Sequence, residues 1–354
     1  MSAAGLSQQR GFAGITALAT YLPKNRENNI ELMGEAKAKK LGILERPIAE
    51  EDETAGDMAY KAAENLFAAY PAIDRQKIRF VLLCIEFPDY ILPNTACHLA
   101  ARLHLPQNCG AVDYNLGCSG YVYGLAMAKG IIEAGISPNV LLLTSNKTSD
   151  YTNKQDLNVR PLFGDGATAT LLESCDVESE LIHSFVLGTD GENYGHLYIP
   201  AGGGRGLAVK TPVKTEKDSE GNVRSNYDIS MDGNGIFVFT MHTVPKLVDD
   251  VLAKANLQRQ DLDYCVFHQP SGFMMRVLRK KCRLTDVPAY SGIEHIGNTV
   301  SNTIPFGLQS VFADKCPREL KNVMLAGFGV GLSWGGCIAN FSCFSDPGDV
   351  VIFQ

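Results

Sequence analysis

The sequence predicts an α/β protein built from two similar halves, and three observations carry that expectation. Apolar runs of strand length alternate with stretches that carry apolar residues at helical spacing. Several of the strand runs, such as FVLLCIEF (80–87) and NVLLLTS (139–145), are apolar on both faces, as strands covered on both sides are. The alternation then starts again near residue 185, which divides the 354-residue chain almost equally into 1–185 and 186–354 and suggests an internal duplication.

In the first half GITALATYL (14–22) reads as a strand, and 54–70 as a helix that starts at a threonine, a favoured N-cap. A strand at 80–87, a helix at 94–105 and a strand over GAVDYNLG (110–117) follow. That last strand runs into the corner YNLGCSGYVYGL (114–125). A helix at 123–135, the strand 139–145 and a turn plus strand over LFGDGATATLLES (162–174) complete this half. The second half holds a strand at 184–191, a long helix at 235–255 interrupted near Pro245, and the strand DYCVFHQP (263–270). Helices at 273–284 and 299–315 come next, and then a glycine-kinked strand pair over 322–342. The charged stretch 210–226 reads as a solvated excursion with an exposed turn at its Glu-Gly-Asn.

Composition narrows the function. A hydrophobic content of 45% with 20% charged residues is that of a soluble globular protein. A net charge of −7 argues against a general nucleic-acid binder. The opening MSAAGLSQQRG lacks the charged start and apolar core of a signal peptide, and no apolar run is long enough to span a bilayer. A cytoplasmic location with no membrane association is therefore expected. Ten cysteines with no CxxC pair and no regular ligand spacing read mostly as small hydrophobes in a reducing compartment.

Cys118 is the exception. It follows a buried strand, opens a helix, and is flanked by Gly117 and Gly120, which allow a tight turn and close approach of a substrate. The positive end of a helix dipole lowers a thiol pKa there. His268, at the end of the apolar strand 263–270, is the best-placed base, while Asn298 in HIGNT (295–299) reads either as a helix cap or as a polar group at a matching corner.

With these motifs in hand, the chain resembles the β-ketoacyl-acyl-carrier-protein synthase III family of thiolase-like condensing enzymes. The likeness runs through GITALATYLPKNRENN, LGILERPIA (41–49), DYNLGCSGYVYGL, LFGDGATATLL, MDGNGIFVF, VFHQPSGF, HIGNT and GFGVGLSWGG. It implies a thiolase-like fold, with two duplicated halves forming a five-layered αβαβα core. It also implies a catalytic Cys118–His268–Asn298 set and an oxyanion hole from the backbone N–H groups of Cys118 and Val330. The implied reaction acylates Cys118 from an acyl-CoA or acyl-carrier thioester and then condenses it with malonyl-carrier, with no metal, nucleotide or redox cofactor. The implied partners are an acyl carrier protein, docked by Arg276, Arg279, Lys280 and Lys281, and a second copy of the chain. Leu92 of one copy reaches into the acyl pocket of the other.

The sequence departs from the family pattern in places. Ala36 and Lys40 stand where acetyl-CoA-using members carry a tryptophan and an arginine, and Leu157 stands at a second CoA-contacting arginine, with Arg160 three residues on. HQPS replaces the usual HQAN, so Pro270 and Ser271 reshape the surroundings of His268, and Val238 and Phe273 occupy basic docking positions. Three other readings accompany the decarboxylating synthase: a same-fold acyltransferase acting on an oxygen or nitrogen nucleophile, a non-decarboxylating enzyme of the hydroxymethylglutaryl-CoA synthase type, and a silent partner subunit. The hydroxymethylglutaryl-CoA synthase type would need a carboxylate beside the cysteine, which YNLGCSG does not supply. The last is disfavoured because all three polar residues are kept.

Overall fold

A computed structural model describes residues 11–204, 212–219 and 221–345. The first half opens with strand β1 (Phe12–Tyr21), helix α1 (Ala55–Ala69), strand β2 (Phe80–Ile85) and helix α2 (Thr95–Arg102). It continues with β3 (Gly110–Tyr114), α3 (Gly120–Glu133), β4 (Asn139–Asn146) and β5 (Gly166–Cys175). The second half holds β6 (Ile182–Thr189), α4 (Gly233–Ala255), β7 (Tyr264–Phe267) and α5 (Gly272–Lys281). Helix α6 (Thr303–Asp314) and the hairpin β8 (Val323–Gly329) and β9 (Ser333–Ala339) end it.

The two halves repeat one topology. The first sheet has the order β1-β5-β4-β2-β3, with β1, β5 and β4 antiparallel in turn and β4, β2 and β3 parallel. The second has the order β6-β9-β8-β7 with the same sequence of directions. Where β3 lies in the first sheet, the second has only a parallel bridge from Cys265 to Ala289.

Helices α3 and α6 are sandwiched between the sheets and pack on both. Position explains composition here: Tyr121, Val122, Leu125, Ala128 and Ile132 form one broad buried face of α3, while Met127 and Gly130 on the other side are exposed. Helix α1, started by a reciprocal Thr54–Asp57 capping box, and α2 cover the outer face of the first sheet. Helix α4 covers the second sheet, with α5 packed beside it. The layers read α, β, α, β, α, the five-layered thiolase-like arrangement.

The expected break at Pro245 does not occur, for α4 runs unbroken from Gly233 to Ala255. A proline inside a helix costs about 3 kcal/mol. Val244, Leu247, Val248 and Val251 are all buried, at roughly 1.5–3 kcal/mol per side chain, so packing outweighs the lost hydrogen bond. Of the charged stretch 210–226, the described part forms a short hairpin between Thr215–Lys217 and Val223–Ser225, with residues 210, 211 and 220 outside the described residues. Among the described residues no helix is long and apolar enough to cross a membrane.

Candidate active site

Strand order brings the three polar corners together. Strand β3 ends just before Cys118, in the last turn before α3, and the thiol is buried between the two halves. Strand β7 delivers His268 from the other sheet, its N–H donating to Ala326 O of β8 at 2.8 Å. Asn298 belongs to the second half but is held by the first. Its N–H donates to Leu162 O at 2.8 Å and its carbonyl accepts from Gly164 N at 3.0 Å. The predicted helix at 299–315 begins only at Thr303, after a short turn at Val300–Asn302 that presents Asn298.

Cys118 sits where two cavities meet. One, of about 80 Å³, is lined by Cys118, His268, Asn298, Pro270, Ser271 and Met274, and lies at the start of α5. The other, of about 180 Å³, is lined by Cys118, Glu86, Asn115, Thr148, Val300 and Val330. The glycine hairpin closes over the thiol. A β-carbon on Gly329 would lie 2.7 Å from Cys118 Sγ, and one on Gly117 would lie 2.2 Å from the Val330 side chain. Glycine at these two places is a requirement of close approach.

The expectation of a lowered thiol pKa is reversed in this resting state. Burial, reinforced by the charge of Glu86, pushes the Cys118 thiol well above its ordinary value, while the N–H groups of Val330 and Cys118 itself pull the other way. Those two N–H groups offset part of the desolvation and do not overcome it. Burial likewise pushes His268 down to about 3, so its imidazole is neutral at physiological pH. Its Nδ1 lies 2.8 Å from Thr303 Oγ1, and that hydroxyl is also 3.0 Å from Val300 O. Asn298 Oδ1 accepts from Val300 N at 2.9 Å, which leaves the Asn298 NH₂ for the cavity.

Glu86 was not singled out from the sequence. The cysteine stretch holds no carboxylate, yet the parallel register that sets Cys84 beside Tyr114 carries Glu86 to the cysteine corner. Its Oε1 lies 2.7 Å from where a β-carbon on Gly117 would sit, and burial pushes its carboxyl up to about 7. The available signal was an acidic residue directly after the buried run FVLLCI.

Comparison with known proteins bears on this geometry. Models of 3-oxoacyl-[acyl-carrier-protein] synthase III match residues 112–191, and of its C-terminal part residues 252–341. A solved 3-oxoacyl-(acyl-carrier-protein) synthase III is 42% identical, with a TM-score of 0.90, over 93% of this chain and 100% of that one. The priming β-ketosynthase of the R1128 polyketide pathway is 26% identical, with a TM-score of 0.81, over 96% of this chain and 98% of that one. A β-ketoacyl-[acyl-carrier-protein] synthase III of Halalkalibacterium halodurans is 32% identical over 341 residues, 93% of this chain and 97% of that protein. The chain belongs to the 3-oxoacyl-acyl-carrier-protein synthase III family. It is a condensing acyltransferase of that type.

Several other sequence-selected residues lie outside the two cavities. Arg276, Lys280 and Lys281 are exposed on α5, whereas Arg279 turns inward and donates to the carbonyls of Leu284, Thr285 and Val287 at 3.1, 3.2 and 2.8 Å. Val238 and Phe273 are exposed and Phe237 stacks on Phe273, so an apolar patch stands at two positions that the family pattern makes basic. Ala36 and Lys40 are exposed, as is Leu157. Arg160 is committed elsewhere: it pairs with Glu27, which also holds the buried Arg46. Leu92 projects from the protein at 85% exposure, next to Ile91 at 97%.

The two shifted groups give stability opposite pH slopes. His268 binds its proton in the unfolded chain from about pH 6.5 down and in the folded chain only near 3, so its contribution is lost as pH falls through that window. Glu86 binds its proton in the folded chain up to about pH 7 and in the unfolded chain only up to about 4.5, so stability is lost as pH rises between them. Glu86→Gln removes the second effect alone. Urea midpoints are expected to show the variant gaining on the wild type from about pH 5 to about pH 8, and a constant difference would contradict an enclosed carboxyl.

Proposed function

We propose that this chain is a cytoplasmic β-ketoacyl-acyl-carrier-protein synthase III. Cys118 takes an acyl group from an acyl-CoA or acyl-carrier thioester, and decarboxylative condensation with malonyl-carrier gives a β-ketoacyl-carrier and carbon dioxide, without a cofactor. The observation that carries this reading is the position of Cys118 between two cavities, with His268 and Asn298 on one and the Val330 N–H on the other.

The first step needs a proton acceptor, because the buried thiol is protonated at rest. Neutral His268 fills that role when the Thr303 hydroxyl turns to Val300 O, since Nδ1 then carries the hydrogen and Nε2 presents a lone pair. The Cys118 proton passes through Nε2 to the departing thiolate. The acyl carbonyl oxygen, negative in the tetrahedral intermediate, rests on the N–H groups of Cys118 and Val330.

In the second step the malonyl thioester lies in the cavity of His268 and Asn298. Turning the Thr303 hydroxyl to Nδ1 places the hydrogen on Nε2, so a neutral ring and the Asn298 NH₂ both donate to the enolate oxygen as carbon dioxide leaves. The enolate carbon attacks acyl-Cys118, the thiolate is expelled, and one proton from solvent restores the thiol. An enolate sink of two donors suits decarboxylation better than simple transfer to a hydroxyl or amine. The family membership also favours it over the transferase reading.

The row Arg276, Lys280 and Lys281, with the carbonyl-bound Arg279 behind it, is the surface we assign to the acidic carrier. With Ala36, Lys40 and Leu157 where an adenine would be gripped, carrier-borne donors are favoured over acetyl-CoA. The exposed Ile91 and Leu92, together with the edge of β3 that is unpaired among the described residues and its exposed Val112, support a homodimer in which Leu92 closes the partner's acyl cavity.

Intact-mass measurement after incubation with a panel of acyl donors tests the reading. The wild type is expected to gain the acyl mass, slowest from acetyl-CoA, and Cys118→Ala to gain none. Asn298→Ala is expected to load normally and to lose carbon dioxide release from malonyl-carrier by about 100-fold or more. Loading without decarboxylation in the wild type would refute the synthase. Replacing both Ile91 and Leu92 by aspartate is expected to give a monomer by light scattering, and a dimer that survives would place the interface elsewhere.

A further inference from the structure

The acyl cavity of this enzyme is not lined as a hydrocarbon pocket would be. Because His268 and Asn298 occupy the smaller cavity, where the malonyl unit must lie, the acyl chain carried by Cys118 extends into the larger one. Phe87, Phe163, Leu197 and Ile229 supply apolar wall there, but Glu86, Asn115 and Thr148 line the same space. Thr148 is buried and its Oγ1 has no hydrogen-bond partner among the described residues. A buried hydroxyl left unpaired costs stability, which a ligand's polar group can recover.

Glu86 is held in place from behind. With the Asn146 amide turned to satisfy both neighbours, its nitrogen donates to Glu86 Oε2 at 3.3 Å while its oxygen accepts from Ser301 Oγ at 2.8 Å. The second carboxyl oxygen, Oε1, lies beside Gly117, one residue from the nucleophile. A chain of methylenes packed against this carboxyl would strip it of water and return no hydrogen bond.

We propose that Glu86 and Thr148, with the exposed Asn115 at the mouth of the cavity, form a hydrogen-bonding wall that selects a short acyl group carrying a donor, a hydroxyl or an amine, within about four carbons of the thioester. The inference rests on the synthase reading above. A cavity of about 180 Å³ beside the nucleophile suits a short chain. A site built to hydrogen-bond a substrate group discriminates strongly against the analogue that lacks it, whereas one extra methylene changes binding little.

The test is the rate at which the full-length wild type loads butyryl, 3-hydroxybutyryl, 4-hydroxybutyryl and 3-aminobutyryl groups from their N-acetylcysteamine thioesters, followed by intact mass. At least one donor-bearing chain is expected to load about 10-fold or more faster than butyryl, and the hydroxyl and amine arms separate the two donors. Glu86→Leu is expected to bring that ratio to about one or below, and Glu86→Gln, which keeps an acceptor of the same shape, to retain part of it. Thr148→Val supplies an independent reading should the Glu86 variants fold poorly, and is expected to lower the ratio as well. Butyryl loading as fast as the substituted chains in the wild type would overturn the proposal, as would an unchanged ratio in both Glu86→Leu and Thr148→Val. A proportional loss of all donors in Glu86→Leu would also overturn it, because Glu86 would then serve the general machinery. No loading of Cys118 by any donor would instead sink the synthase reading itself.

Discussion

The seat of Cys118 against the glycine hairpin of the opposite half is the contact on which the rest of the structure depends. The thiol belongs to the first sheet's corner and the hairpin β8–β9 to the second sheet, so the proposed nucleophile sits where the halves meet. Ser119 and Ser333 share a buried hydrogen bond of 2.7 Å across that junction, and Gly329 lets the backbone approach Sγ to a distance no side chain would allow. From this seat follows the Val330 N–H aimed at sulfur, the burial that keeps the thiol protonated, and the division of space into two cavities.

A second constraint serves the other side of the sulfur. Val300 adopts a φ of 57°, a left-handed conformation that a β-branched residue avoids at a cost of about 1–3 kcal/mol. In that conformation its N–H holds the Asn298 amide and its carbonyl accepts from Thr303 Oγ1, the partner of His268. One strained residue thereby orients both of the proposed enolate donors. Thr144 Oγ1 donating to Asn302 at 2.5 Å ties the same turn to the first sheet, so the strain is borne by a segment anchored on both sides.

Much of this was legible in the sequence because it was local. Alternating runs placed the strands, and a cysteine between glycines at a strand-to-helix corner marked the candidate nucleophile. His268 at the end of an apolar strand marked a residue that lines the same cavity. What escaped was set by register and by packing. Glu86 lies 32 residues before Cys118 and matters only because β2 and β3 are parallel neighbours. Helix α3 starts at Gly120, ahead of the apolar periodicity that suggested 123, since the glycine corner itself enters the helix. Arg279 reads as one of a surface row, yet its guanidinium is spent on three carbonyls. A helix dipole alone lowers the thiol pKa, whereas burial between the two halves dominates it.

The central claim is that one sulfur, reached from two sides, couples acyl capture to decarboxylation. The most direct measurement is the stoichiometry of a single turnover: purified acyl-Cys118 enzyme mixed with one equivalent of malonyl-carrier, with carbon dioxide, loss of acyl mass and β-ketoacyl-carrier followed together. The account expects all three to appear at the same rate and in a one-to-one-to-one ratio. Carbon dioxide released without loss of the acyl group, or acyl mass lost to water without a β-ketoacyl product, would contradict it.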